Sequence, residues 1–251
     1  MSLAEYRNSE NERARVADLM RLVPDHLETA LDIGARDGFI AEQLASKVSA
    51  VTALDLETPT ISDERIRCIK GDITSLDLPN NSYELALCAE VLEHIPPDKL
   101  TLACTELTRV SSRYLLIGVP YKQDTRVGRT TCQTCGQKNP PWGHVNSFSK
   151  SKLQALFNTC NLVEVSYIGK SKERTNSLSC WLMDLAGNPY GTYSQDEPCI
   201  HCGATIGRPC ERKLYQRVFT KIAFLTQRLQ NFFLAEQPNW VHILFEKKSF
   251  D

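Results

Sequence analysis

No stretch of this chain approaches the ~20 consecutive uncharged apolar residues that a membrane-spanning helix requires, so no transmembrane segment is expected. The opening MSLAEYRNSE passes at once into a densely charged run and carries no apolar core of the kind a secretory signal has, which makes a cytoplasmic protein the expectation. No long low-complexity tract and no internal repeat is visible, and global disorder is thereby excluded. Also lacking is the interleaving of aromatic and basic residues that nucleic-acid surfaces use, so nucleic acid is not an expected partner. Nor does one sign of charge dominate: the formal net charge is −1.

Apolar material is abundant. Of 251 residues 42% are hydrophobic and 24% charged, which fits one large α/β domain, or one domain with a sizeable insertion. The balanced total conceals a split. Residues 1–119 hold 12 Lys/Arg against 20 Asp/Glu, a net of −8, and residues 120–251 hold 17 against 10, a net of +7. Either the second half meets something anionic, or the charges are spread over solvated faces. Ten cysteines would imply disulfides in a small secreted protein, but this chain is neither small nor visibly secreted. Four of them form two Cys-x-x-Cys pairs, which in a reducing compartment point to metal. The other six, Cys68, Cys88, Cys104, Cys160, Cys180 and Cys210, fall mostly in apolar runs and read as buried free thiols.

Residues 9–24 place Val16, Leu19, Met20 and Val23 at helical spacing before Pro24. TALDIG then reads as a buried strand, DGFIAEQLASKV as a helix, and AVTALDL, IRCIKGD and YELALCAEV as further strands. PDKLTLACTELTRV is a helix with proline at its start, and RYLLIGVP is a fifth strand stopped by Pro120. Strands alternating with helices imply a parallel sheet, and uninterrupted apolar runs imply strands covered on both faces. Beyond Pro120 the rhythm breaks. Residues 121–147 are rich in turns, 150–159 look helical, LVEVSYI is a sixth strand, 170–210 are irregular, and WVHILFEKK is the last strand. Residues 211–234 form an amphipathic pattern with Tyr215, Val218, Ile222, Leu225, Leu229 and Phe232 on one stripe.

In a parallel sheet, ligands bind at the carboxyl ends of the strands, where Gly34, Asp55, Asp72 and Glu90 all fall. ALDIGARDG is a strand, a glycine turn and a helix start, which lets backbone approach a ligand and offers free N–H groups. Asp55, 23 residues after Asp32, is placed to accept hydrogen bonds from ribose hydroxyls. Dinucleotide-binding folds share these two features, so the residues alone imply only a nucleotide-type ligand.

ALDIGARDG, the Asp of ALDLE, KGDITSLDLPNNSYELALCAEVLEHI and GHVNSFSKSKLQALF together resemble the successive motifs of class I methyltransferases dependent on S-adenosylmethionine (SAM), in the broad group with an E-V-L-E-H signature. The resemblance spans roughly residues 28–168 and the final strand. It implies a Rossmann-like, doubly wound, mostly parallel seven-stranded sheet with the last strand antiparallel. It also implies that Asp32 and Gly34 face the methionine part of the cofactor, Asp55 the ribose and Asp72 the adenine amino group. Ile73 would pack on the ring and Ala89 lie beside the amino-acid end, with Gly38, Leu56 and Glu90 in the same site. Arg36 departs from the pattern by standing where the family has its middle glycine; its side chain either crowds the cofactor or points outward.

Methyl transfer from a sulfonium is an in-line displacement in which the protein aligns the acceptor and excludes water. For a hydroxyl acceptor a base helps, and His94 is the first candidate and His144 the second. Glu90 and His94 would share a face if their stretch were helical. Small-RNA 3′-end ribose methyltransferases carry a similar Glu-x-x-Glu-His run, here Glu90, Glu93 and His94. They complete a metal site with a histidine, however, where this chain has Asn146, with His144 displaced.

Cys132-Gln-Thr-Cys135-Gly136 and Cys199-Ile-His-Cys202-Gly203 are two knuckles whose four thiolates would close a structural zinc site. Cys210, His201 and His144 are reserve ligands. The expected organisation is a SAM-binding core of residues 1–120, 148–169 and 239–251, with a zinc-containing insertion or cap of residues 121–147 and 170–238. In that cap the helix at 211–234 is expected to pack along the carboxyl-end face; the alternatives are a zinc lobe remote from the pocket, and a dimer or membrane-surface contact by the stripe, since the helix carries Arg212, Lys213, Arg217, Lys221 and Arg228 on its other face. The expected activity is methyl transfer to a small-molecule or glycan-type anionic acceptor at oxygen. The alternatives are RNA ribose methylation and a non-catalytic SAM-binding zinc protein.

Overall fold

The structure is a computed structural model that describes residues 7–209 and 212–248. The chain divides into two compact units: residues 1–121, 148–169 and 238–251, and residues 122–147 and 170–237. The chain passes from the first to the second directly after a strand's end on both occasions, at Tyr121 and at Gly169.

The first unit is a seven-stranded sheet. Its strands are β1 (Thr29–Ile33), β2 (Ala50–Asp55), β3 (Ile66–Lys70), β4 (Tyr83–Ala89), β5 (Ser111–Pro120), β8 (Cys160–Ile168) and β9 (Trp240–Lys247). They lie in the order β3-β2-β1-β4-β5-β9-β8, and β9 runs antiparallel to both of its neighbours. This is the mostly parallel, doubly wound arrangement that the alternating pattern implies. Strands β1, β2 and β4 share a register, with Asp32 opposite Ala53 and Leu87, so their carboxyl ends finish together.

Side chains alternate between two cores, one on each face of the sheet. Helices α1 (Glu10–Leu22) and α2 (Phe39–Leu44) bury Leu19, Leu22, Ala41 and Leu44 against Leu85, Leu87 and Leu116. Helices α3 (Leu100–Val110) and α4 (Lys150–Leu156) bury Leu107 and Leu153 against Leu115, Ile117 and Ile243. Cys88, Cys104 and Cys160 are buried here and Cys68 is half-buried. Helix α1 is also tied to the far strands by polar contacts. Asp18 accepts from Ser166 (2.9 Å) and sits 2.7 Å from Nδ1 of the buried His242. Arg21 bridges Asp18 (3.0 Å) and Glu164 (2.6 Å).

Residues 90–99 are not helical. Glu90 takes a left-handed φ of 59°, and a turn follows in which the His94 N–H donates to the Val91 carbonyl (3.0 Å). The shared helical face expected for Glu90 and His94 does not form, because that backbone reverses where a helix would continue.

The second unit holds a two-stranded hairpin, β6 (Thr130–Thr131) with β7 (Lys138–Asn139), and helices α5 (Ser177–Leu185) and α6 (Leu214–Phe233). Helix α5 lies in the stretch expected to be irregular. Its start is set by a reciprocal cap: Asn176 Oδ1 accepts from the Ser179 N–H (2.8 Å), and Ser179 Oγ bonds back to the Asn176 N–H (3.0 Å). Cys180, inside it, is buried, while Cys210 lies outside the described residues.

Helix α6 matches the expected amphipathic segment, but the expected packing is reversed. The apolar stripe faces solvent, with Leu225 57%, Leu229 58% and Phe232 81% exposed, and the buried positions are Thr220 and Ala223. Each large apolar side chain left in water forgoes roughly 1.5–3 kcal/mol, so hydrophobicity did not choose this packed face. The packed face is met instead by two long hydrogen bonds, Gln230 Nε2 to the Thr175 carbonyl (3.3 Å) and Asn176 Nδ2 to the Thr226 carbonyl (3.5 Å), which at about 0.5–1.5 kcal/mol each do not offset that loss.

Candidate cofactor site and metal centre

The first cluster stands at the carboxyl ends of β1, β2 and β4. The turn after β1 folds back because the Gly34 and Ala35 N–H groups both donate to the Leu54 carbonyl, at 2.8 and 3.1 Å. Gly34 has φ 80°, and a Cβ there would lie 2.2 Å from Val91 Cγ2, so only glycine fits. Arg36 also takes positive φ (46°), which explains why a glycine is common at that place; its side chain is exposed. Gly38 (φ 80°) opens α2.

Three acids converge on this turn's neighbourhood. Asp55 is fixed by two backbone donors, Arg36 N–H to Oδ2 (2.7 Å) and Leu56 N–H to Oδ1 (2.6 Å), which leaves each oxygen further acceptor capacity. Asp32 is 2% exposed, and its Oδ2 has no hydrogen-bond partner among the described residues. Burial, and then the negative charges of Asp55 and Asp37, push its carboxyl up to about 7. Glu90 accepts from the Trp240 indole N–H through Oε2 (3.1 Å), while its buried Oε1 has no partner among the described residues. Burial raises its pKa above the ordinary carboxylate value, partly countered by Arg15. Left-handed backbone at a non-glycine residue is uncommon and gathers at ligand sites, and Glu90 combines it with an unpartnered buried oxygen.

Asp72 lies further out and forms a closed turn, with Oδ1 accepting from the N–H and the hydroxyl of Thr74 (both 2.8 Å), which holds its carboxyl below the ordinary value. Ile73 is buried, Leu56 exposed and Ala89 half-buried. His94 belongs to the first unit. His144 belongs to the second, where its Nδ1 lies 2.7 Å from Gln123 Oε1. Two contributors escaped the sequence reading. Trp240, at the start of β9, anchors Glu90. Glu93, considered there only in connection with RNA, is fully buried with neither carboxylate oxygen partnered among the described residues. Burial and the nearby Glu90 raise it well above the carboxylate range. No local sequence pattern pointed to either contact.

The second cluster lies wholly in the second unit. Cys132, Cys135, Cys199 and Cys202 bring four sulfur atoms within 4.8 Å of one another. Cys132–Cys202 is 3.7 Å and Cys135–Cys199 is 3.6 Å. A tetrahedron with metal–sulfur bonds near 2.3 Å has edges of about 3.8 Å, whereas a disulfide is about 2.05 Å. The two loops repeat one geometry. Gly136 N–H donates to the Cys132 carbonyl (2.9 Å) and Gly203 N–H to the Cys199 carbonyl (2.8 Å), with φ of 71° and 72° at the glycines. Burial would raise the Cys199 thiol, but the His201 and Cys202 N–H groups outweigh it and hold it at about 6, which favours the thiolate a metal needs. The donor set, spacing and knuckles could hold one tetrahedral divalent ion.

The sheet order and the single antiparallel strand define the Rossmann-like methyltransferase fold. Residues 31–113 match the model of the methyltransferase-domain family. An uncharacterized methyltransferase of Mycobacterium tuberculosis is 29% identical over 89 residues, covering 33% of this chain and 45% of that protein. A ubiquinone biosynthesis O-methyltransferase of Pectobacterium atrosepticum is 28% identical over 90 residues, 32% of this chain and 37% of that protein. The chain thus matches less than half the length of these relatives. Among solved structures, the N-methyltransferase NodS from Bradyrhizobium japonicum superposes with a TM-score of 0.56 at 13% identity, covering 97% of this chain and 99% of NodS. The 1,6-didemethyltoxoflavin-N1-methyltransferase of Burkholderia thailandensis, solved with S-adenosylhomocysteine, gives 0.55 at 13% identity, covering 98% and 81%.

Proposed function

We propose that this chain is a SAM-dependent methyltransferase acting on a small or glycan-type, anionic acceptor at oxygen, and that its second unit is held by one structural zinc. The observation that carries the cofactor reading is the pair of buried carboxylate oxygens, on Asp32 and Glu90, without partners among the described residues, beside a pre-set Asp55. Such groups cost ~1–3 kcal/mol each if left unmade, and a ligand bearing an ammonium and vicinal hydroxyls would satisfy them.

The residues fit that ligand. Asp32, Gly34, Ala89 and Glu90 would hold the amino-acid end, Asp55 and Leu56 the ribose, and Asp72 and Ile73 the adenine, with Gly38 keeping the turn open. When bound, SAM supplies an activated methyl group. The chain's own work is to orient the acceptor, exclude water and, for a hydroxyl, receive its proton. His94 is the favoured base, with His144 the second. An anionic acceptor is favoured by the second unit's charge, 13 Lys/Arg against 7 Asp/Glu. The names of the relatives span oxygen and nitrogen acceptors, so oxygen rests on the histidine bases.

Calorimetry with S-adenosylhomocysteine tests the reading. The wild type should bind it, and Asp55→Ala should lose ~1–3 kcal/mol of affinity, because the ribose hydroxyls lose their acceptor. Absence of binding by the wild type, or equal affinity in the variant, would reject it.

A further inference from the structure

Helix α6 is inside out. At 3.6 residues per turn, Tyr215, Val218, Ile222, Leu225, Leu229 and Phe232 share an arc of about 100°, and all six are exposed. The opposite face is covered and carries Gln216, Thr220, Ala223, Thr226 and Gln230. A soluble helix left to itself would show the reverse. Helix α5, packed on α6, adds exposed Leu178, Trp181 and Leu185 at the same kind of spacing.

Charge says what covers this face. Helix α6 contains Arg217, Lys221 and Arg228 and no acidic residue. On the same helical wheel these three lie in a row along one border of the apolar arc, within about 60° of it. Arg212 and Lys213 precede the helix. The one acid of α5, Asp184, is turned inward to Arg129 and Lys138, both at 2.6 Å. A second copy of this chain, docked face to face through α6, would bring like charges together, since α6 has no acid and Asp184 of α5 is already paired with Arg129 and Lys138. An apolar arc rich in Leu and Phe, bordered by basic residues alone, has the composition of a helix lying in the headgroup layer of an anionic bilayer. Among the described residues no helix is long and apolar enough to cross a membrane, so the contact is with the surface.

We infer that the exposed face of α6, with α5 beside it, docks this protein on an anionic lipid surface. The apolar arc enters the boundary between headgroups and acyl chains, and the bordering Arg217, Lys221 and Arg228 reach up to lipid phosphates. The inference does not rest on the cofactor assignment, since none of these residues belongs to that site.

Sedimentation of the full chain with phosphatidylcholine vesicles, with and without phosphatidylglycerol, tests it. The wild type should bind the anionic vesicles and be released by added salt. Arg217→Gln with Lys221→Gln and Arg228→Gln should weaken that binding on the order of 100-fold, given the contribution of each basic residue at such a surface. Leu225→Ser with Leu229→Ser should weaken it at least tenfold. The altered side chains are exposed, so thermal melting of both variants should match the wild type, which separates loss of docking from loss of fold. Three results would overturn the inference. One is no binding to anionic vesicles at low salt. Another is binding that neither folded variant changes. The third is a concentration-dependent dimer, dissolved by the Leu225/Leu229 variant, in a protein that ignores vesicles.

Discussion

Asp32 offers a test in which stability and binding move in opposite directions. Its carboxyl is pushed from 3.8 to about 7 by burial and by the neighbouring Asp55 and Asp37. In the unfolded chain the proton leaves near 3.8; in the folded protein it stays until about pH 7. Between those values the folded state holds more protons, so stability falls as pH rises and levels off above about pH 8. A shift of about three units at 1.36 kcal/mol each is worth up to roughly 4 kcal/mol, of which about 2 kcal/mol falls between pH 5.5 and 8. At 2–4 °C per kcal/mol for a chain of this size, the melting temperature should drop by roughly 4–8 °C across that range on account of Asp32 alone. Asp32→Asn has no charge to bury. Its melting curve should lose that decline, and at pH 8 the ligand-free variant should be more stable than the wild type. A cofactor ammonium, however, would lose a charge-assisted partner worth about 1.5–3 kcal/mol, and affinity should fall 10- to 100-fold. Differential scanning fluorimetry from pH 5.5 to 8.5, with and without S-adenosylhomocysteine, reads both effects. Glu90 and Glu93 tilt the curve the same way in both proteins, so the difference isolates Asp32. Parallel curves for wild type and variant would refute the reasoning.

Elemental analysis of the purified protein should give about one zinc per chain, and Cys132→Ser or Cys199→Ser should lower both that ratio and the melting temperature, since a closed four-thiolate site contributes folding energy; four freely titratable native thiols would contradict the site. Gly34→Ala should abolish cofactor binding and destabilise the fold by a few kcal/mol, because its Cβ would meet Val91 Cγ2 at 2.2 Å on a left-handed backbone; an unchanged calorimetric isotherm would show the turn to be remote from the ligand. Once an acceptor is in hand, its affinity should weaken with ionic strength while that of the cofactor stays nearly constant; equal sensitivity would remove the case for an anionic acceptor.

The strands of the first unit were legible because a parallel sheet buries both faces. TALDI, AVTALD and YELALCA leave no polar periodicity to confuse with a helix. Asp32 and Asp55 were legible because strand ends in such a sheet are where chemistry collects. Helix α5 was not seen, although Asn176 and Ser179 form its cap and Leu178, Trp181 and Leu185 keep helical spacing; proline, glycine and cysteine around it gave the stretch the look of a loop. The stripe of α6 was recognised, and of its readings the favoured one, packing inward along the cap, is not the one that forms. Periodicity reports which residues share a face, and only the surroundings say whether that face is inside. Trp240 and Glu93 were missed for a related reason. A partner contributed by a strand 150 residues away, or a carboxylate buried without a partner, leaves no local pattern.

The order of the last two sheet strands has a consequence for how the molecule is made. Strand β8 joins the sheet through β9 alone among the described strands, yet β9 follows it by some seventy residues of the second unit. A ribosome therefore releases β8 several seconds before its only strand partner, at ~5–20 residues per second. During that interval β5 also presents an open edge. Unpaired edges of this kind recruit other chains, so the nascent protein is most exposed to misassembly while the second unit is being translated.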